Sequence, residues 1–169
     1  MALRPIITIG NSLLRKKAKP VPKNKIRTME MRTLVEDMQE TMQAEKGIGL
    51  SAPQISVLKQ VVVIDIPHEI ELHSVWSKES SYVLFNPRIT EMGPDTKGYW
   101  EECLSVPNLK GLVVRPTSIT VEYLDQYAIY RVAHLENFGA TVFQHEMDHL
   151  NGKLYIDYIS EGGRNNAGS

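Results

Sequence analysis

Two segments of the chain carry apolar residues at helical spacing. In the first segment these residues fall three or four positions apart, which predicts a helix with one buried face. They are Met31, Leu34, Val35, Met38 and Met42. Thr28 can cap the N-terminus and two glycines follow the pattern, so we predict a helix from Thr28 to about Lys46. A second helix is predicted from about Phe138 to Leu150, before an Asn-Gly pair.

Other segments have the composition or the alternation of β-strands. The predicted strands are 61–66, 82–86, 113–116, 119–123 and 128–133. Pro87 is predicted to end the second of them, and the polar segment 67–80, with His68 and His73, is predicted to be a loop. Several strands with two long helices predict an α+β fold. We expect antiparallel sheets packed around the C-terminal helix, with the first helix as an N-terminal amphipathic element.

The composition adds limits to this picture. With 169 residues, 42% of them apolar and 23% charged, the chain is predicted to be one domain over residues 1–160. The tail, residues 161–169, is predicted to be disordered. A net charge of −1 and the lack of a long apolar run give no reason to expect binding to nucleic acid or to a membrane. A single cysteine fits a reducing compartment, so we expect a cytoplasm, with an organelle as the alternative.

The second predicted helix contains the sequence H-E-x-x-H. His145 and His149 lie four positions apart, so a helix would place both on one face, where two imidazoles can bind one metal ion. Glu146 lies beside them and could carry a proton during metal-assisted hydrolysis. The same residues also fit an amphipathic helix with two surface histidines. Cys103 is a chemically suitable third ligand, but it precedes His145 by 42 residues, and this spacing does not show that they meet.

Three segments of the chain resemble the signature motifs of peptide deformylases. The segments are Gly47–Gln54, Glu101–Pro107 and Gln144–Leu150, and the family motifs are G-x-G-x-A-A-P-Q, E-G-C-x-S and Q-H-E-x-x-H in the same order. The similarity also includes the N-terminal arm and Asp157–Ile159, so it covers about residues 4–160. It implies a metal-dependent hydrolase that removes the N-formyl group from the initiator methionine of new polypeptides and releases formate.

The resemblance implies a role for each matching residue. The implied metal ligands are Cys103, His145 and His149. The metal would polarise a bound water, and Glu146 would take the water's proton and pass it to the leaving amine. The metal, the Gln54 side-chain amide and the Leu104 backbone N–H would stabilise the negative oxygen of the tetrahedral intermediate. The family pattern further suggests that Glu101 and Arg115 form a buried pair behind Cys103, the alternative being two solvated surface charges.

The implied substrates are N-formylmethionyl peptides. The backbone of Ile48 and Gly49 would pair with the peptide as an added strand. By helix geometry Phe138, Thr141 and Val142 share the face of His145, so they are predicted to wall the methionine pocket, with core packing as the alternative for Phe138 and Val142. A transient contact with the ribosome is possible in this family, but the tail lacks the basic helix that some bacterial deformylases use for docking.

Two positions depart from the family motifs. Ser51 replaces the usual alanine and is small enough to be tolerated, whereas Glu102 replaces the usual glycine directly before Cys103. Glu102 adds bulk and charge beside the peptide channel, so we expect metal binding to be retained and substrate fit to change. We predict weaker binding of peptides with acidic residues after the methionine.

Two other functions compete with the deformylase reading. One is a related protein that binds peptide N-termini with weak or no activity, which Glu102 motivates. The other is an H-E-x-x-H metallopeptidase, which would lack the usual downstream ligand and would leave Cys103 unexplained. Two imidazoles and a thiolate suit Zn²⁺, whereas the resemblance implies native Fe²⁺ that Ni²⁺, Co²⁺ or Zn²⁺ can replace.

Overall fold

The computed structural model describes residues 2–67, 81–159 and, for the backbone alone, 164–166. The loop histidines predicted from the sequence, His68 and His73, lie outside these residues. No helix in the described ranges is long and apolar enough to cross a membrane.

Both predicted helices are present. Helix α1 spans Met29–Ala44, and helix α2 spans Asn137–Leu150. The hydroxyl of Thr28 accepts a hydrogen bond from the backbone N–H of Met31, as expected of an N-terminal cap. All five apolar residues of the predicted α1 stripe are buried. Periodicity alone therefore identified the buried face of this helix correctly.

The strands form two antiparallel sheets. The first sheet has the order β1-β2-β3-β6-β7, and the second has the order β4-β5-β8. The strands are β1 Gly49–Ser51, β2 Val61–Asp65, β3 Ser81–Met92, β4 Thr96–Cys103, β5 Val106–Pro116, β6 Ser118–Leu124, β7 Tyr130–Glu136 and β8 Arg164–Asn166. In this order β1 is an edge strand of the first sheet, and its outer edge has no neighbouring strand among the described residues.

Helix α2 packs against both sheets, which confirms the predicted α+β fold with a C-terminal helix enclosed by strands. Strand β2 shows how the layers are arranged. Its residues Val62 and Ile64 pack in the core that contains α2, while Val61 and Val63 pack in the core that contains α1. A strand that is buried on both faces needs apolar residues at every position, and this explains the continuous apolar run at 61–64.

Strand β3 corrects one prediction. It does not end at Pro87 but continues to Met92, because the chain forms a bulge there. The pairing with β6 shifts between Phe85 and Arg88, and Asn86 adopts a positive φ of 52°. A proline, which has no N–H to donate, is accommodated at such a bulge without ending the strand.

The second sheet was predicted only in part. Strand β5 begins at Val106, well before the predicted start at 113, and β4 was not predicted as a strand. Within the predicted tail, the backbone of Arg164–Asn166 pairs with residues 109–111 of β5. The proposed domain boundary near residue 160 stays a prediction.

Candidate metal centre and active-site cleft

Strand β4, helix α2 and a short 3-10 helix, which are distant in sequence, meet at one place in the fold. Cys103 is the last residue of β4, and His145, Glu146 and His149 lie on α2. Gln54 lies on a short 3-10 helix, Ala52–Ile55, that follows the edge strand β1. All five side chains are buried. The structure therefore brings Cys103 and Gln54 to the H-E-x-x-H helix, which the sequence could predict only through the resemblance.

Cys103, His145 and His149 form a compact group of potential metal ligands. One ligand atom from each residue can be chosen so that all three lie within 4.8 Å of one another. The Sγ atom of Cys103 is 3.3 Å from Nε2 of His149, and the two imidazole rings are 5.3 Å apart. One thiolate and two imidazoles are a donor set that suits a divalent transition metal and leaves a coordination position for water. The residues present fit the metal site that the resemblance implies.

A buried ionic network holds the His145 ring from behind. Nδ1 of His145 lies 2.8 Å from a carboxylate oxygen of Glu101, and Arg115 donates two hydrogen bonds to the same carboxylate. Arg115 also donates to Asp148, on the α2 surface, at 2.8 Å. Since a carboxylate only accepts, Nδ1 of His145 keeps its proton, and Nε2 is the nitrogen that offers a lone pair to a metal once the ring is neutral.

The two histidines differ in their protonation. Burial lowers the pKa of His149 well below its ordinary value, and the neighbouring His145 acts in the same direction. His149 is therefore neutral at pH 7 and can offer a lone pair. Burial also works against a charge on His145, but hydrogen bonds with Cys103 and Glu101 outweigh it and raise the pKa of His145. A proton on His145 must leave when a metal binds there, so binding is coupled to proton release.

Glu146 has the properties of an acid–base group. Burial raises the pKa of Glu146 to about 7, and the charge of Glu101 acts in the same direction. Within the described residues, its Oε2 atom is buried and has no hydrogen-bond partner. The backbone of β1 packs directly on this carboxylate, because a Cβ added at Gly49 would lie 2.5 Å from Oε1 of Glu146. The glycine at this position therefore lets the edge strand approach the carboxylate.

Gln54 presents its amide N–H groups to the site. Its Nε2 atom lies 3.6 Å from Sγ of Cys103 and donates to Oγ of Ser105 at 3.1 Å. Its Oε1 atom accepts from the backbone N–H of Ser51 at 2.9 Å and from the Ser51 hydroxyl at 3.0 Å. Ser51, one of the two departures from the family pattern, thus adds a hydrogen bond that orients the Gln54 amide.

Two of the three predicted metal ligands, Cys103 and His145, line a cleft of about 580 Å³ between β1 and the hairpin of β4 and β5. His149 does not line this cleft, and all other residues predicted for the site do. They are Ile48, Gly49, Gln54, Glu102, Cys103, Leu104, Phe138, Thr141, Val142, His145 and Glu146. Thr141 and Val142 are buried on the α2 face that leads to His145, in agreement with the helix geometry, while Phe138 is only partly buried.

The rim of the cleft carries residues that sequence reasoning did not identify. Glu102 forms an ion pair with Lys110, which also lines the cleft, and Trp100 lies beside them. Ser105 and Asp148, which hold Gln54 and Arg115, were missed as well. Both lie inside motifs that the sequence analysis recognised, so their positions could have been used to find them. The ion pair of Glu102 with Lys110 forms at a register shift between Glu101 and Cys103, which the sequence pattern does not indicate.

Comparisons with known proteins agree with this geometry. A family model described as polypeptide deformylase matches residues 3–165. A peptide deformylase of Leptospira biflexa is 40% identical over 159 residues, which cover 94% of this chain and 89% of the relative. A peptide deformylase of Ehrlichia chaffeensis in complex with actinonin has a TM-score of 0.86 at 34% identity, over 96% of this chain and 91% of that one.

A further structure is similar in fold. It is a class I type b peptide deformylase of Acinetobacter baumannii with Met-Ala-Ser bound, with a TM-score of 0.85 at 29% identity over 94% of this chain and 99% of that one. The family match spans nearly the whole chain, and the possible Cys-His-His metal site lies where three motifs of that family meet. The chain therefore belongs to the polypeptide deformylase family, and it is a hydrolase that removes the N-formyl group from the N-terminal methionine of nascent polypeptides.

Proposed function

We propose that Cys103, His145 and His149 hold one divalent metal ion at which the formyl group is hydrolysed. The observation that carries this proposal is the convergence of the three ligand atoms within 4.8 Å, from a strand and a helix distant in sequence. When bound, the metal lowers the pKa of a water molecule and polarises the formyl oxygen. The further residue roles proposed below concern groups that surround this ion.

Glu146 carries the proton between water and the leaving amine. It has to accept a proton from the attacking water and then donate it to the methionine nitrogen as the C–N bond breaks. Burial raises the pKa of Glu146 to about 7, which suits a group that both accepts and donates a proton near neutral pH. Its unpartnered oxygen supports this role, since no neighbouring group in the described chain competes for the proton.

The Gln54 amide and the Leu104 backbone N–H stabilise the oxygen that becomes negative in the tetrahedral intermediate. Support comes from the position of Gln54, whose Nε2 atom lies against Sγ of Cys103. Leu104 follows Cys103 directly and lines the same cleft. One donor of this kind is worth about 2.7–4 kcal/mol of transition-state stabilisation in a well-formed site.

The peptide binds along β1 with its methionine in the pocket on α2. The outer edge of β1 is unpaired in the described sheet, so its backbone can accept an added strand at Ile48 and Gly49. Thr141 and Val142 form the buried wall of the methionine pocket, and Phe138 forms its outer part. The Met-Ala-Ser bound to the Acinetobacter baumannii relative supports the same peptide class as ligand here.

The native metal is proposed to be Fe²⁺. Zn²⁺, Ni²⁺ and Co²⁺ are acceptable replacements for a site with two imidazoles and one thiolate. We further expect action in a bacterial cytoplasm, with at most a transient ribosome contact. Elemental analysis of protein purified without oxygen checks the metal, because bound zinc in place of iron under these conditions would overturn the Fe²⁺ assignment.

One assay tests the proposed function. Formate release from formyl-Met-Ala is measured for the parent protein and for Glu146→Ala, with metal content determined in both. Release by the parent together with loss in the metal-loaded variant supports the proposal. No release by a metal-loaded parent would favour a peptide-binding protein without activity, and cleavage of unformylated peptides would favour a metallopeptidase.

A further inference from the structure

The outer face of the β4–β5 hairpin exposes an apolar strip next to the cleft. Trp100 is 50% exposed, Leu112 is 41% exposed and Val114 is 61% exposed. Trp100 is the cross-strand partner of Leu112, and Gly98 is the partner of Val114. These four residues define the strip, and three exposed large apolar side chains side by side are unusual for a surface without a ligand.

The glycine shapes the strip. A Cβ at Gly98 would lie 3.2 Å from Cδ1 of Leu112 and 3.7 Å from Cγ2 of Val114. The missing side chain therefore lets the side chains of Leu112 and Val114 lie over the β4 backbone, which extends the apolar surface of the strip across both strands. An apolar side chain of a partner that packs on this surface loses contact with water.

The strip is continuous with the substrate cleft, because Trp100 belongs to both. Trp100 precedes Cys103 by three strand residues, which corresponds to about 10 Å along an extended chain. A peptide that lies in extended form between β1 and β4, with its formyl group at Cys103 and its chain running toward Trp100, would cover the same distance with three residues. The strip is therefore reached by the fourth residue of a substrate and those after it.

The charges where the cleft meets the strip argue against a nucleic acid as the partner. Glu102 and Lys110 lie there and form an ion pair with each other, so the junction carries no net charge. A surface that binds RNA needs an excess of cationic groups, which this junction does not offer. The exposed area is apolar, and an apolar polypeptide segment is the partner that it fits.

We propose that this strip binds apolar residues of the nascent chain at the fourth position and beyond. The inference rests on the proposed function and deepens it, because it assigns a preferred substrate class: formylmethionyl chains with an apolar segment shortly after the N-terminus. Trp100 is its main specificity residue, since a large aromatic side chain contributes the most contact area.

The test compares three peptides by kcat/KM. They are formyl-Met-Ala-Ser, formyl-Met-Ala-Ser-Leu-Ile-Leu and formyl-Met-Ala-Ser-Ser-Gly-Ser. The parent is expected to favour the long apolar peptide over the long polar one by about tenfold, which is the effect of burying one or two aliphatic side chains. Trp100→Ala is expected to reduce this preference about fivefold, and Trp100→Phe to keep most of it.

Two variants complete the experiment. If Trp100→Ala fails to fold, Leu112→Ser takes its place, and it should reduce the same preference. Tyr127→Ala removes a side chain that is 62% exposed on the turn between β6 and β7, outside the cleft, and should leave the preference unchanged. An equal loss on all three peptides, or no loss, would overturn the proposal. The proposal would also be overturned if Trp100→Ala abolished dimer formation but left the peptide preference unchanged.

The failure of the proposed function has a different signature. In that case the metal-loaded parent releases no formate from any of the three peptides, and the substrate assignment for the strip is overturned with it. If the strip alone is misassigned, formate is released from all three peptides without a preference for the apolar one.

Discussion

Glu101 and Glu102 are neighbours in sequence and have opposite environments. The side chain of Glu101 is 4% exposed and binds Arg115 and His145, while that of Glu102 is 57% exposed and pairs with Lys110 at the cleft rim. The strand alternation turns the first toward α2 and the second toward solvent. One short segment thus supplies both a buried support for the proposed metal ligand His145 and an exposed residue at the rim of the cleft.

The difference between the two glutamates follows from solvent access. A charge that is buried with its partner is costly to leave unpaired, because the remaining partner loses its compensation without regaining water. An exposed ion pair contributes little, because water and salt screen it and its long side chains lose freedom. The buried network should therefore control folding and metal binding, and the exposed pair should affect only substrate choice.

The largest expected effect is on stability. Glu101→Gln leaves Arg115 without its bidentate carboxylate partner and should lower the free energy of unfolding by about 3 kcal/mol. The matched change Glu102→Gln should lower it by less than about 0.5 kcal/mol. Urea denaturation with the metal removed by a chelator measures both, so that metal affinity does not contribute. Similar losses in the two variants would contradict the comparison.

The next effect concerns the packing of β1 on Glu146. Gly49→Ala places a methyl group 2.5 Å from the carboxylate oxygen, so Glu146 or the strand has to move. A displacement of this size should reduce kcat/KM for formyl-Met-Ala about 100-fold. Gly47→Ala is the matched control. Its methyl group would meet the tip of Leu104 at 3.0 Å and two backbone oxygens at an ordinary 3.6 Å, so it should cost less than about tenfold. Equal losses would show that the contact with Glu146 is unimportant.

The free energy of unfolding should depend on pH through the buried carboxylate of Glu101, unlike through an exposed carboxylate. Burial alone would raise the pKa of Glu101, but hydrogen bonds from His145 and Arg115 outweigh it and hold the pKa below its ordinary value of 4.5. A depressed pKa means that the stabilisation is complete above the unfolded-state pKa and is lost as the pH falls through the folded-state value.

Between about pH 5 and 6, where the Glu101 carboxylate is ionised and His145 does not yet titrate, the parent and Glu101→Gln should therefore differ by a constant free energy of unfolding. The difference should shrink as the pH falls below about 4.5 and through the depressed folded-state pKa. Urea denaturation over this range measures it. A difference that grows on acidification would have the wrong sign and would contradict an ionised Glu101.

Ser51 and Glu102 are the two departures from the family motifs. Replacing the buried Ser51 should change the kinetics more than replacing the exposed Glu102. Ser51 is fully buried and donates to Gln54, so Ser51→Ala removes one hydrogen bond that orients a proposed oxyanion donor. We expect kcat to fall about fivefold with little change in KM. Steady-state kinetics with formyl-Met-Ala decides this, and a change confined to KM would mean that Ser51 acts on substrate binding instead.

Glu102→Gly should have the smallest effect. Removing the exposed carboxylate should improve kcat/KM for peptides with an acidic residue after the methionine, relative to basic ones, by about twofold. The ion pair with Lys110 offsets part of the charge, which keeps the expected change small. Kinetics on a matched acidic and basic peptide measure the ratio, and identical ratios in parent and variant would refute a role in selectivity.

The sequence predicted α1, α2 and β2 well because their apolar patterns match the faces they bury. Strand β4 was missed for a physical reason: its inward position Glu101 is charged and buried, and its outward position Trp100 is apolar and exposed. This pattern is the reverse of an ordinary strand. The prediction that Pro87 ends its strand was also wrong, because a bulge allows β3 to continue past it.

The site could be predicted as far as its motifs extended. The residues of the H-E-x-x-H helix share a face by spacing alone, but only the resemblance linked them to Cys103 and Gln54. The supporting contacts depend on tertiary packing. The bond of Arg115 to Asp148 and the pairing of Glu102 with Lys110 join residues across separate elements or a bulge, and local sequence patterns do not encode them.

The most direct test of the account measures bound metal and formate release together. Parent protein, Cys103→Ala and Glu146→Ala are purified without oxygen, analysed for metal and assayed with formyl-Met-Ala. We predict about one metal ion per chain in the parent and in Glu146→Ala, and far less in Cys103→Ala, with formate released at the full rate only by the parent. Full metal content in Cys103→Ala, or undiminished activity in Glu146→Ala, would contradict the proposed metal centre.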